Sequence, residues 1–349
     1  MDPRDFPLEY FYDESITNFY VVFTNVTTVM TVVFMPVYFY VIFTQSKTLG
    51  NFKWFLLNHS FWFLSLEIAM CLSKPLLLNP AAGGIMLGPL RKSGNHILSI
   101  CITVLVCVLS LFSVGGASIT LAYRYAGLFP GLISKIFASK NSFIVYFLLH
   151  VGFVLFFGSL GVHFSSMKRE DIVADALAYA PVLKKFVNES TFMFFKKDIS
   201  RGVIAILFFT LIAIVGLILV VGTFLFRKIR RTNTMTMNSK TQKNLLVSAS
   251  VQAAITFVLL FCPILIFTSG MIFELPYSGP RFAIMLCVMS MHAITEMVAT
   301  MFFVLPYRRF FMGLFKKLFE KVGLKSNTVI ELNSKVEKGS LRRATFPKG

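Results

Sequence analysis

Four ionisable residues lie inside long apolar stretches of this sequence. Glu67 and Lys74 fall in one apolar run, and His292 and Glu296 fall in another. The seven-residue step from Glu67 to Lys74 is two helical turns, and His292 and Glu296 are one turn apart, so each pair is expected to share a helix face. Burying such groups in lipid costs a few kcal/mol. The pattern predicts a polar patch that binds a ligand or switches the protein, or else a static polar clamp between helices.

Depth along the two runs places Glu67 and Glu296 near the middle of a bilayer if the runs are antiparallel neighbours. Carboxylates that close would share a proton or be balanced by a cation, for which Lys74 or sodium are candidates. The sequence shows no metal-ligand spacing, no phosphate-binding loop and no nucleophile motif. It therefore predicts neither a cofactor nor an enzymatic activity.

Composition sets the class of protein. Hydrophobic residues make up 56% of the 349 residues, charged residues only 14%, and the mean hydropathy is +0.73. Soluble domains carry about 25% charged residues, so a polytopic membrane protein in a lipid bilayer is predicted. The net charge of +18 is then explained by asymmetric loop charge rather than by nucleic-acid binding.

Seven charge-poor runs are each long enough to cross a bilayer. They cover residues of about 19–43, 54–78, 97–122, 142–162, 201–226, 245–273 and 283–305. About two thirds of the 34 basic residues fall in the segments that are cytoplasmic if the N-terminus is outside. The prediction is an all-α membrane protein, a seven-transmembrane helix bundle with its N-terminus outside.

The bundle is flanked by three further regions. Residues 1–18 are expected to be an extracellular N-terminus, 19–305 the transmembrane domain, 306–325 an amphipathic helix on the inner membrane surface, and 326–349 a disordered tail. Asn188-Glu-Ser lies in the long outer loop 163–200 and is a candidate glycosylation site.

The third run is the expected centre of the bundle. It contains no Asp, Glu, Lys or Arg from Ser93 to Tyr123 and ends at Arg124 and Tyr125. Small residues between Ser113 and Ser118 would let neighbouring helices approach closely. A basic residue at an inner helix end is common in membrane proteins, so Arg124 alone is a weak signal.

Several of these segments together resemble the nematode serpentine chemoreceptors, most closely class H (Srh-type) of the Str superfamily of seven-transmembrane G-protein-coupled receptors. The residues that carry the resemblance are Lys53-Trp54, Leu56-Leu57-Asn58-His59, Glu67, Pro75, Pro80, Gly83, Gly88, Ala122-Tyr123-Arg124-Tyr125, Met291-His292 and Pro306-Tyr307-Arg308. The likeness covers roughly Phe19 to Leu318. One departure is Ala122, where the family usually has a glutamate.

The resemblance implies a chemosensory receptor in the plasma membrane, in the cilia of sensory neurons. It implies detection of a small environmental chemical such as an odorant and activation of a heterotrimeric G protein. The expected G-protein face consists of Arg124, Tyr125, Arg227, Arg230, Arg231 and Arg308. Because Ala122 leaves Arg124 without a neighbouring carboxylate, raised basal signalling is predicted.

Two rival functions remain open on the sequence. A transporter or channel with a midplane carboxylate site would use Glu67 and Glu296, although no internal repeat supports it. A non-signalling scaffold or dimer subunit is the other alternative.

Overall fold

The computed structural model of the protein describes residues 3–92, 94–128, 135–137, 141–196 and 250–321, together with 202, 204–209, 211–213, 216, 247 and 248. Within these residues, six helices are long and apolar enough to cross a membrane. A shorter apolar helix, Ile204–Ala213, lies where the fifth span is predicted. The predicted seven-helix membrane bundle is confirmed.

The first span is the helix Glu14–Gln45. It begins where the side chain of Asp13 accepts a hydrogen bond from the backbone N–H of Ile16, at 2.9 Å. This contact satisfies one of the free N–H groups at a helix start. Pro36 lies within the helix. Most of the buried positions in its outer half are threonines, and Thr17, Thr24 and Thr27 donate their hydroxyl hydrogens to backbone carbonyls three or four residues earlier in the chain.

The second span, Phe52–Ser73, packs on the third, His96–Leu128. The two helices approach closely at Gly116, since a Cβ atom added there would lie only 3.0 Å from the Cα atom of His59. A glycine at this crossing lets the two backbones approach within reach of direct side-chain contacts. The fourth span is the helix Asn141–Ser165, and much of its surface is exposed.

The sixth span, Ser250–Ile272, contains a π-helical turn at Phe257–Phe261, and Pro263 lies two residues after its end. The seventh span, Ser278–Phe303, consists of two helices, Ser278–Ser290 and His292–Phe303, separated at Met291. After Val304, whose backbone is extended, a final helix runs from Leu305 to Lys321. The position of this last helix on the membrane surface remains a prediction.

The outer end of the bundle carries a folded cap that the sequence pattern does not predict. Three antiparallel strands form its sheet in the order β1 (Pro75–Leu77), β2 (Gly83–Met86) and β3 (Met193–Phe194). The helix Arg169–Tyr179 of the long outer loop and the N-terminal segment pack against it. Their shared apolar core includes Phe6, Phe11, Leu78, Ile172, Leu183 and Phe192.

A salt bridge between Arg91 and Glu189 joins the long outer loop to the short segment that precedes the third span. The guanidinium donates to both carboxylate oxygens, at 2.7 and 3.1 Å. This bidentate bond raises the pKa of the Arg91 guanidinium above its ordinary value. Arg169 donates three further bonds to the backbone carbonyls of Val187, Glu189 and Ser190. The segment that carries Asn188 is therefore held in place on both sides.

Candidate functional site: an outer cavity and a polar contact network

A cavity of about 240 Å³ lies in the outer half of the bundle, beneath the cap. Spans two to seven line its sides, and strands β1 and β2 line its outer end. Its wall is almost entirely apolar, with Phe157, Phe261, Phe267 and Phe282 among the aromatic side chains. An apolar cavity of this size suits a small hydrophobic molecule.

A polar network lies deeper in the bundle, around Glu296. The carboxylate is fully buried and accepts a hydrogen bond from the Thr256 hydroxyl on the sixth span, at 2.8 Å. The Nε2 atom of His59, on the second span, lies 3.6 Å from Oε2 of Glu296. The Nε2 atom of His292 lies 3.8 Å from Oε1. Glu296 thus connects spans two, six and seven.

The network leaves several buried polar atoms unsatisfied among the described residues. Both ring nitrogens of His59 and the Oε2 atom of Glu296 have no hydrogen-bond partner there. Leaving such groups unpaired costs about 1–3 kcal/mol each.

A second polar contact joins spans six and seven one turn nearer the inner end. The Gln252 amide donates to the hydroxyl of Thr300, at 2.6 Å, and both side chains are buried. Gln252 and Thr256 are four residues apart, as are Glu296 and Thr300. The two hydrogen bonds therefore form successive rungs between the antiparallel helices.

Glu67 and Lys74 do not join this network. Glu67 is buried and accepts a long hydrogen bond from Thr28 of the first span, at 3.4 Å. Lys74 donates to the side-chain oxygen of Asn25. Within the described residues, neither forms an ion pair with the other or with Glu296. Of the four predicted patch residues, the structure brings only His292 and Glu296 together.

The placement of Lys74 inside the second span is wrong. The helix ends at Ser73, and Lys74 is its C-cap, with a left-handed backbone at φ 41°. The next residue, Pro75, begins strand β1. Because Pro cannot donate a backbone hydrogen bond and restricts the residue before it, the helix stops here. The lysine then extends to the first span rather than along the helix face toward Glu67.

Arg124 lies at the inner end of the third span and is buried to 3% exposure. Its guanidinium carbon is 3.0 Å from the centroid of the Phe52 ring, at the start of the second span. Two guanidinium nitrogens, Nε and Nη2, have no hydrogen-bond partner among the described residues. An aromatic face therefore receives the buried cation.

The other predicted G-protein contacts are described only in part. Arg308 is half-buried near the start of the final helix. Tyr125 lies in the third helix, one residue after Arg124. Arg227, Arg230 and Arg231 lie outside the described residues. Next to Arg308, the fully buried Tyr307 shares a 2.6 Å hydrogen bond with Ser46 and so anchors the final helix to the first span.

Three functional candidates are not predicted from the sequence: His59, Thr256 and Gln252. Their signal is present as polar residues at four-residue spacing in apolar spans, Gln252 with Thr256 and Glu296 with Thr300. His59 appears in the resemblance only as part of the Leu-Leu-Asn-His run. Its contact with Glu296 depends on the close crossing at Gly116, which sequence spacing does not reveal.

A family comparison matches residues 15–317 to the Srh serpentine type seven-transmembrane G-protein-coupled chemoreceptors. The match covers most of the chain. The helix bundle in the membrane is the fold expected of this class of receptor. The chain belongs to the Srh chemoreceptor family and is a multi-pass membrane protein. Comparisons with curated proteins and with solved structures find no match.

Proposed function

We propose that this protein detects a small environmental chemical in its outer cavity and activates a heterotrimeric G protein at its inner end. The cavity is the observation that carries the proposal, because six spans line it and the sixth span, the helix that would move, is among them. The proposed location is the plasma membrane of sensory neuron cilia, with the N-terminus and the cap outside.

The π-helical turn in the sixth span links the cavity to the polar network. Phe261 lies in this turn and also lines the cavity. Thr256, the donor to Glu296, directly precedes the turn. π-Turns and prolines weaken the regular helix hydrogen bonding and are common at bends. A ligand that contacts Phe261 would therefore change the bend at the point where the sixth span is bonded to the seventh.

Activation would consist of a population shift rather than a new structure. A ligand that binds better to a form with the sixth span swung outward increases the fraction of that form. The movement breaks the bonds from Thr256 to Glu296 and from Gln252 to Thr300. It would open an inner groove for a G-protein helix, with Arg124, Tyr125 and Arg308 beside it and the basic segment containing Arg227, Arg230 and Arg231 at its edge.

The polar patch takes a more specific role in this proposal. Glu296, His292 and His59 hold the inactive packing together, since Glu296 of the seventh span contacts the second span through His59 and the sixth through Thr256, besides His292 on its own helix. Glu67 and Lys74 instead fasten the first span to the second through Thr28 and Asn25. We expect Glu296→Gln to change the response more than Glu67→Gln at equal surface expression.

The test is a functional screen of the full-length receptor. Cells expressing it are exposed to volatile and water-soluble odorants while cytosolic calcium or cAMP is recorded. A ligand-evoked change that disappears in Arg124→Ala, at matched surface level, supports the proposal. A response that persists in Arg124→Ala contradicts the role of this helix end.

The transporter alternative loses its main support because Glu67 and Glu296 bind different partners. It has a distinct signature: currents or uptake that follow the replacement of external ions. Such currents without a G-protein response would replace the receptor proposal.

A further inference from the structure

We propose that the outer cavity selects neutral, apolar ligands that contain an aromatic ring or a thioether and that require no hydrogen-bond donor from the receptor. This inference rests on the proposed function, because it names the ligand class of the same cavity. The lining side chains are almost all apolar, and the few hydroxyl groups among them already donate their hydrogen atoms to backbone carbonyls.

Only three hydroxyl side chains line the cavity among the described residues, and each already donates its hydrogen. Ser73 donates to the carbonyl of Ala69 and Ser110 to that of Val106, both at 2.8 Å. Thr103 donates to the carbonyl of Ser99, also at 2.8 Å. The hydroxyl oxygens can still accept a bond, but a ligand carbonyl would have to displace one of these donors.

The remaining wall is rich in sulfur and aromatic rings. Its sulfur-containing side chains are Met70, Met86, Met193, Met271, Met289 and Cys107. Thioethers are polarisable, adapt to irregular shapes and contact aromatic edges favourably. A ligand with an aromatic ring or a thioether would find suitable partners on every side.

No Asp, Glu, Lys, Arg or His side chain lines the cavity within the described residues. The nearest charged positions along the second span are Glu67 and Lys74, and both bind to the first span instead. The first span contributes no residue to the cavity wall. A carboxylate or ammonium ligand would thus be desolvated without a counter-ion, which strongly disfavours its binding.

Cavity size sets the upper limit of the ligand. An apolar cavity of roughly 150 Å³ holds a benzene molecule. By that scale, the cavity of about 240 Å³ admits a ligand of about ten non-hydrogen atoms. Monocyclic aromatics and short thioethers are in this range.

The experiment measures thermal stability of the purified full-length receptor in lipid nanodiscs. Four probes of similar size differ in polarity: thioanisole, phenylacetaldehyde, phenylacetic acid and phenethylamine. Binding to the folded state raises the melting temperature, and at equal concentration a ligand that binds more tightly raises it more. We expect thioanisole to stabilise the protein, phenylacetaldehyde to bind about tenfold more weakly because its carbonyl lacks a donor, and the two charged probes to give no shift at neutral pH.

Two cysteines on the third span provide a matched pair of variants. Cys107→Phe fills the cavity, whereas Cys101→Phe places the same ring at an exposed position of the same helix. Thioanisole should stabilise Cys101→Phe but not Cys107→Phe. Val114→Phe, at another lining position, serves if Cys107→Phe does not fold. A shift that is equal in both cysteine variants would mean that the probe acts through the lipid and would overturn the inference.

Two further outcomes separate this inference from the proposed function. If phenylacetic acid or phenethylamine stabilises the wild type and loses its effect in Cys107→Phe, the ligand class is wrong although the cavity binds ligands. If thioanisole binds as expected but apolar probes evoke no calcium or cAMP change, the ligand class stands and the signalling proposal fails.

Discussion

Thr256 of the sixth span donates a hydrogen bond to the carboxylate of Glu296 on the seventh, and the two oxygens are 2.8 Å apart. Both residues are buried, so the bond is protected from water. It lies directly before the π-helical turn that borders the cavity. In the proposed mechanism, this bond opposes the outward movement of the sixth span.

Removing the donor should therefore raise signalling without ligand. Thr256→Val keeps the shape of the side chain and deletes the hydroxyl. Leaving a buried acceptor without its donor costs about 1–3 kcal/mol, and about 1.4 kcal/mol changes the ratio of active to inactive receptor tenfold. We expect basal cAMP or calcium signalling to rise several-fold at matched surface level.

Thr268→Val is the matched control for this change. Thr268 is buried on the same span, but its hydroxyl bonds only to backbone carbonyls of its own helix. Basal signalling should stay at the wild-type level in this variant. Equal increases in both variants would assign the effect to general loosening of the sixth span.

The crossing of the second and third spans should depend on one glycine. Gly116→Ala places a methyl group 3.0 Å from the Cα of His59, so the helices must separate or shift. Such overpacking costs about 1–3 kcal/mol, and the melting temperature of the purified receptor should fall by a few degrees. Gly115→Ala is the neighbouring control, since its added methyl group meets no described atom within 4 Å. A greater loss in Gly115→Ala would contradict this account of the crossing.

Hydropathy predicts the spans well, because length and absence of charge are enough to identify a lipid-crossing helix. The cap is different in kind. Strands β2 and β3 pair residues that are more than a hundred positions apart, such as Gly84 with Met193, and each strand of the cap is too short to show a repeating pattern. Such pairings arise from tertiary packing and cannot be read from local sequence.

The site likewise contains contacts that can be predicted from the sequence and contacts that cannot. The pairing of His292 with Glu296 follows from helix periodicity and was predictable. The separation of Lys74 from Glu67 was not, because the spacing argument assumes that the helix continues past Ser73. The partnership of His59 with Glu296 requires knowing which faces of two different spans meet. Sequence periodicity shows which residues share one face of a helix. Which faces of two helices meet depends on the angle at which the helices pack.

Asn188 is predicted to carry an N-linked glycan. Its side chain is exposed in the outer loop, on a segment held by Arg91 and Arg169. Endoglycosidase treatment of the wild-type receptor should increase its gel mobility, and Asn188→Gln should show no such change. Asn58 also begins an Asn-X-Ser sequence. Its side chain bonds to Tyr146 and Trp62 within the bundle, so Asn58→Gln should leave the mobility change intact. Persistence of the glycan in Asn188→Gln would place it elsewhere.

The last prediction concerns the restraint on Arg124. The sequence predicts raised basal signalling because Ala122 supplies no carboxylate, yet the structure places the Arg124 guanidinium over the Phe52 ring, 3.0 Å from its centroid. A desolvated cation–aromatic contact contributes about 2 kcal/mol. This contact can hold the arginine inward in place of an acid, and Phe52→Leu should therefore raise basal signalling about tenfold or more.

Phe55→Leu controls for the loss of a ring from the same helix. Phe55 stacks on Tyr123 at 4.2 Å, so its removal leaves the contact between Arg124 and Phe52 in place. Ala122→Glu supplies the acid that the family usually has at this position and should lower the raised basal signal of Phe52→Leu toward the wild-type value. The measurement is ligand-independent cAMP or calcium at equal surface expression. If Phe52→Leu and Phe55→Leu give the same basal signal, the aromatic ring does not restrain Arg124 and the inactive state must be stabilised elsewhere.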